Sequence, residues 1–458
     1  MQESILSMPI PEGTPLCQTM FQVQADTTPV ALYSDTTYWG GHVNFGVFEL
    51  LSGRHAQITV TPAFSFRSVK LLPEILGITP QVTNGVIRFT TPAHPAQITL
   101  VFDDQYMSGQ VLHLFVNAIK EAPVEEEGRT LLTFPAGFHD VRSEEGYALS
   151  VGDDTTVYLA PGAVLYGGLR LAGKNIRLCG SGMILTDRAC RSISLDAVEC
   201  ENLTIEDVIV HSHARNGWNV HLYLCADVQV EALKVLSTTY ACTDGIDISN
   251  GHNVQIRNSF VRSCDDSISI KAFRPDLPCE NIHLSHMILW NDCNNSMVVG
   301  EESKASYYRN ISFTDIDVLF SYDDPQYHEQ LDERAVMGIV LLDGVECRDI
   351  LWENVRIHKC ERLCCMVFRD NFWFGTVKGD QSKPGVIDGV TLRNIRVFCN
   401  SGSKIANQIL LEGYDANKKV QNVSIQLCQI MGVEIDETYP KLVKNAFVEN
   451  IAVSKTLL

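Results

Sequence analysis

The sequence lacks long apolar runs. No segment approaches the ~18–20 residues of a membrane-spanning helix. It also lacks a basic leader followed by an apolar stretch, so no secretory signal is read from its start. Positive charge is scarce: 36 Lys and Arg stand against 55 Asp and Glu, a net charge of −19. That balance disfavours nucleic acid and anionic membrane as partners. The paired Cys-x-x-Cys spacing of a structural zinc site is missing, and the 15 cysteines fall at irregular intervals. Odd in number and without a signal, they point to reduced thiols and a cytoplasmic location. Cys360, Cys364 and Cys365 read as small buried apolar side chains rather than ligands. His211 and His213 form a His-x-His pair, which alone does not make a metal site. No metal and no cofactor are expected, and the oligomeric state is not readable.

A 3.6-residue apolar stripe is absent as well, which excludes helical repeats. What the chain has instead is alternation. Residues 1–122 carry short period-two runs at 56–61, 68–72, 85–89 and 96–102, broken by Gly, Pro and Asn. This predicts half-buried antiparallel strands in a small β-sandwich. The polar stretch 121–128 reads as a linker.

From residue 130 to 458 an internal repeat takes over. Its unit is an Asn or Asp followed by alternating apolar residues, at Asn175, Asn202, Asp227, Asn253, Asn281, Asn310, Asp349 and Asn422. Anchors from Asn202 to Asn310 lie 25, 26, 28 and 29 residues apart. A period in the twenties built of strands, without a regular Leu frame, predicts a parallel β-helix. Asn and Asp suit its turns because they tolerate left-handed backbone. The next spacing lengthens to 39 residues and holds an insertion at 321–334, a candidate loop over the binding face. The loop at 370–375 carries Phe372, Trp373 and Phe374. These aromatics either stack on sugar rings or cap the flank of the helix core.

Three carboxylates fall one rung apart. Asp244 precedes the Asp265–Asp266 pair by 21 residues, close to one turn. Neighbouring rungs sit ~4.8 Å apart, so the three crowd one patch. Like charges held together raise the pKa of at least one member, as a general acid requires. A protonated acid opposite an ionised partner is the arrangement of glycoside hydrolysis. One rung of offset with diverging side chains suggests the ~6.5–9.5 Å separation of an inverting enzyme.

The segments Trp218-Asn-Val-His221, Thr243-Asp244-Gly-Ile-Asp247 and Asp265-Asp266-Ser-Ile-Ser-Ile-Lys271 resemble, in order, those of the polygalacturonase-like clan of right-handed β-helix glycoside hydrolases. That clan comprises family 28 and its dextranase and isopullulanase relative, family 49. The β-sandwich before the helix resembles family 49, as do the entry segments 134–137 and 157–163. The resemblance implies an all-β fold, a right-handed parallel β-helix preceded by a small antiparallel β-sandwich. It implies an inverting, metal-independent hydrolase of α-glycosidic bonds, with Asp265 as general acid and Asp244 and Asp266 holding the water.

Two departures bear on substrate. Asn294 or Asn295 stands where family 28 has a His, and no Arg-Ile-Lys motif follows Ser303. An acidic sugar needs such a cation, ideally an Arg. With Glu301 and Glu302 nearby, a neutral oligo- or polysaccharide is the expected substrate. Lys271 and His221 are expected in the site network, Trp373 at the sugar, and Trp218 in the core. Three alternatives stay open. One is a polygalacturonase or exo-galacturonidase whose cation comes from Arg215, Arg274 or Lys304. The others are a β-helix polysaccharide lyase and a sugar-binding solenoid without catalysis.

Overall fold

The computed structural model describes residues 4–15, 18–142, 149–190, 192–213, 217–239, 242–322 and 332–457. Arg215 and most of the 321–334 insertion lie outside the described residues. Among the described residues there is no α-helix, only a 3-10 turn at Glu74–Leu76. No helix is long and apolar enough to cross a membrane.

Strands up to Gln110–Ala118 form a six-stranded and a five-stranded sheet. Phe21, Ile58, Val60 and Phe89 of one sheet pack against Phe48, Leu100, Leu112 and Leu114 of the other. A fully buried side chain of this kind stabilises by about 1.5–3 kcal/mol relative to exposure. Pairing is antiparallel except that Gln110–Ala118 runs parallel to His42–Leu50. A parallel pair needs a long crossover, and here the intervening chain builds strands of both sheets before returning.

From Thr130–Phe134 onward the chain winds into a parallel β-helix of three short strands per turn. One run of strands is Leu195–Val198, Val220–Tyr223, Ile246–Ser249, Ile268–Ala272, Met297–Ser303 and Met337–Leu341, each hydrogen-bonded in parallel to the next. Alternate side chains point inward, so Ile246, Ile248, Ile268 and Ile270 enter one continuous core. Cys360 and Cys364 lie in that core, and Cys365 is buried on the outer side of its strand.

The repeat anchors sit at the turns as expected. Asn175, Asn202, Asp227, Asn253, Asn281 and Asn310 all have φ between 54° and 59°. Their amides form a ladder: Asn202 donates to Asn175, Asn253 to Asp227, Asn281 to Asn253 and Asn310 to Asn281, at 2.8–3.0 Å. Asn is suited here because it tolerates the left-handed region and carries a donor and an acceptor to pass between rungs.

The sandwich covers one outer face of the helix. Phe45 and Phe115 pack on Val164, Met183, Ile209, Leu236 and Phe260. Val101 and Tyr106 pack on Trp290 and Phe320. This second contact explains why His42–Leu50 and Gln110–Ala118 are buried on both faces. Buried polar pairs cross the same surface. Arg262 pairs with Asp292 at 3.0 Å and donates to His113 at 3.2 Å. Lys234 Nζ donates to Asn117 Oδ1 at 2.8 Å.

Candidate active site

The carboxylates lie on turns leading into one strand run. Register stacks Ile246 on Ile268 and Ile268 on Met297, so Asp244, Asp266 and Asn295 occupy equivalent places on successive rungs. Gly245 makes this approach close: a Cβ there would stand 2.5 Å from the Ser267 carbonyl oxygen. One oxygen each of Asp244, Asp265 and Asp266 lies within 4.8 Å of the others. The three residues are therefore brought together.

The three differ in environment. Asp244 and Asp266 are buried, whereas Asp265 is half-buried at the rim. Burial pushes the Asp266 carboxyl up to about 8, helped by the Asp244 charge and opposed by Lys271. Burial likewise raises Asp244 to about 6, with Lys271 opposing. Asp265 accepts from the Cys242 N–H at 2.6 Å, the Asp266 N–H at 3.0 Å and Asn294 Nδ2 at 2.5 Å. Burial thus favours retention of a proton by the buried carboxyls near neutral pH, most strongly at Asp266.

Lys271 is buried and supplies the counter-charge. Its Nζ lies 2.6 Å from Asp244 Oδ2 and 3.0 Å from Asp247 Oδ1, with the Trp218 ring 4.2 Å away. Asp247 is fully buried, which raises its carboxyl well above the usual range. Trp218 therefore packs on the ammonium rather than in the helix core. His221 lies on the next rung down, with Asp196 3.4 Å from Nδ1 and Ser249 Oγ 3.1 Å from Nε2.

Both asparagines join the site. Asn294 reaches Asp265, and Asn295 Nδ2 donates to Asp266 Oδ1 at 3.0 Å. Asn295 Oδ1 accepts the Ala335 N–H at 2.8 Å. Asn291 shapes this turn, its Oδ1 accepting the N–H groups of Cys293 and Asn294. A bulge follows: Ile270 pairs with Val299 but Ala272 with Ser303, so Gly300, Glu301 and Glu302 oppose Lys271. Only glycine fits at 300, where φ is 111° and a Cβ would meet the Val340 carbonyl oxygen at 1.8 Å. The bulge buries Glu301, raising its carboxyl well above the usual range, and sets Glu302 4.0 Å from Lys271.

Trp373 is 38% exposed on the hairpin joining Asn371–Phe372 to Val377–Lys378 and lies outside the helix core. The Arg334 guanidinium stands 4.9 Å over its ring. Sequence reasoning passed over Arg334, which is buried two rungs from Asp265 on the same row. No three-residue motif marked it. It also passed over Trp39, whose Nε1 donates to the Asp292 carbonyl at 2.6 Å and brings the sandwich to this end of the helix. Arg274 is paired with Asp276 at 2.9 Å.

With this geometry in place, likeness to known proteins narrows the class. Residues 179–314 match the model of the family described as glycosyl hydrolases family 28. Polygalacturonase QRT2 of Arabidopsis thaliana is 22% identical over 253 residues, spanning 50% of this chain and 54% of that protein. The chain thus spans about half the length of that relative. Dex49A from Penicillium minioluteum shares the fold with a TM-score of 0.65 at 12% identity, over 98% of this chain and 96% of its own. The family 28 exopolygalacturonase of Yersinia enterocolitica does so with a TM-score of 0.53 at 14% identity, over 89% and 98%. The chain has the parallel β-helix fold of these enzymes, and its residues 179–314 carry the pattern of family 28.

Proposed function

We propose that the protein is an inverting hydrolase of α-glycosidic bonds in a neutral oligo- or polysaccharide. The observation that carries this reading is the cluster of Asp244, Asp265 and Asp266, with a proton retained near neutral pH and a buried lysine beneath it. Asp265, at the open rim, protonates the leaving oxygen. Asp244 and Asp266 hold and deprotonate the attacking water.

Protons balance over the cycle. In the resting site Asp266 carries the proton, and it must reach Asp265 before Asp266 can act as base. During reaction Asp265 gives a proton to the leaving group while the water gives one to Asp266. The products depart from a site with its proton again on Asp266.

Neutral sugar is favoured by the charge around the cluster. Lys271 is occupied by Asp244 and Asp247, Arg274 by Asp276, and Glu301 and Glu302 line the bulge. A galacturonide reading draws on one specific observation, the Arg334 guanidinium on the site row, and on the likeness to polygalacturonases.

The test is a screen of α-glucans, galactans and galacturonides, with the first-formed product anomer followed by NMR. Release of inverted product from a neutral glucan supports the proposal. Retained configuration would contradict it. An unsaturated, chelator-sensitive product would indicate a lyase.

A further inference from the structure

We propose that Asp35, His211 and His213 form a binding site for one divalent transition-metal ion of the zinc class, clamping the sandwich to the β-helix. Asp35 comes from strand Tyr33–Thr36 of the sandwich, and His211 from strand Ile209–Ser212 of the helix. Asp35 and His211 are about 1% exposed or less, and His213 is mostly buried with an edge to solvent.

The distances suit a metal. Asp35 Oδ2 lies 3.6 Å from His211 Nε2 and 3.2 Å from His213 Nδ1. With bonds of about 2.0–2.1 Å, two ligands of tetrahedral zinc stand about 3.3–3.4 Å apart. The two measured edges bracket that value. Two histidines and a carboxylate are a recurrent donor set, with a fourth position open to water.

Hydrogen bonding supports the same occupant. His211 Nδ1 lies 2.9 Å from the Leu236 carbonyl oxygen, to which it must donate. That fixes the tautomer and leaves Nε2 as a lone pair aimed at a buried carboxylate, the outer-contact arrangement of metal-bound histidines. Asp35 Oδ2 accepts a long 3.4 Å bond from Thr239 Oγ1, and a cation between that oxygen and His211 Nε2 would satisfy both acceptors. Among the described residues, buried His213 Nδ1 has no hydrogen-bond partner, although Asp35 is 3.2 Å away. Asp35 Oδ1 is held by the Thr36 N–H at 2.7 Å, so Oδ2 stays turned toward the histidines. The rival occupant is a proton on His213, whose pKa Asp35 raises.

The experiment is zinc titration by calorimetry of tag-free full-length protein stripped with chelator, with Co²⁺ absorption as a second readout. The wild type should take up one equivalent of Zn²⁺ and show the visible bands of tetrahedral Co²⁺. His213→Ala, chosen because this residue reaches solvent and is the least demanding of the three on folding, should weaken uptake by more than about 100-fold. That exceeds the 10–100-fold typical of outer-contact loss. Asp265→Asn should bind as the wild type does. Zinc should raise the unfolding temperature of the wild type but not of His213→Ala. Absence of stoichiometric uptake, or equal uptake by His213→Ala, would overturn the proposal and leave the protonated pair. Loss of uptake in Asp265→Asn would also overturn it, by assigning the ion to the carboxylate cluster.

Discussion

Lys271 and Asp244 form a buried ion pair at 2.6 Å that spans two rungs of the β-helix. Lys271 also reaches Asp247 from the same ammonium, so one cation serves two carboxyls. Replacing it with methionine strands both. At pH 8 the variant should lose about 3–5 kcal/mol of unfolding free energy, as when one partner of a buried pair is removed. The loss should shrink at pH 5, where the stranded carboxyls take up protons. Lys271 lowers the Asp244 pKa, so its removal moves the acid limb of the pH–rate profile to higher pH. Denaturant unfolding at both pH values and a kcat/KM profile check these outcomes.

The stability of the native protein should carry the mark of Asp266. Its carboxyl titrates near 8 when folded, raised by burial, against about 3.9 when unfolded. The folded state therefore binds the proton more tightly. This contribution to stability is complete below about pH 4 and is lost as pH rises toward 8. Asp266→Asn keeps the acceptor for Asn295 and removes the ionisation. It should be more stable than wild type at pH 8 and should flatten the slope between pH 5 and 8. It should also be nearly inactive.

The β-helix was legible because its physics is periodic. Each turn needs a left-handed corner, and Asn or Asp at Asn202, Asp227, Asn253 and Asn281 supplies it at a spacing visible without coordinates. The proximity of the carboxylates was legible for the same reason, since the period places Asp244 beside Asp266. What was hidden depends on contacts between distant segments. Asp35 and Trp39 meet the helix only because the sandwich folds back on it, and nothing near them in sequence says so. Arg334 was missed because a single arginine on an irregular turn carries no local pattern.

Asn295 links three groups, donating to Asp266 and, at 3.4 Å, to Glu301 while accepting from the Ala335 N–H. Asn295→Ala leaves that buried N–H unsatisfied and should cost about 1–3 kcal/mol. It also removes a bond that favours ionised Asp266, so the Asp266 pKa should rise further. The alkaline limb of kcat should shift upward, which a purely structural role would not produce. Thermal unfolding and a pH profile separate the two effects.

The acid assignment is decided by leaving group. If Asp265 protonates the departing oxygen, Asp265→Asn should lower kcat/KM on the natural substrate by about 10²–10⁴-fold, the usual worth of general acid catalysis. Aryl glycosides of the same sugar with strongly acidic phenols need no proton, so the variant should recover much of its rate on them. Asp266→Asn should stay slow on both, because the water still lacks its base. The opposite pattern, rescue of Asp266→Asn and not of Asp265→Asn, would move the acid to Asp266, where burial already keeps a proton. In that case the rim carboxylate would be the water-activating group, and the hydrogen bonds from Asn294 and Cys242 would serve to orient it.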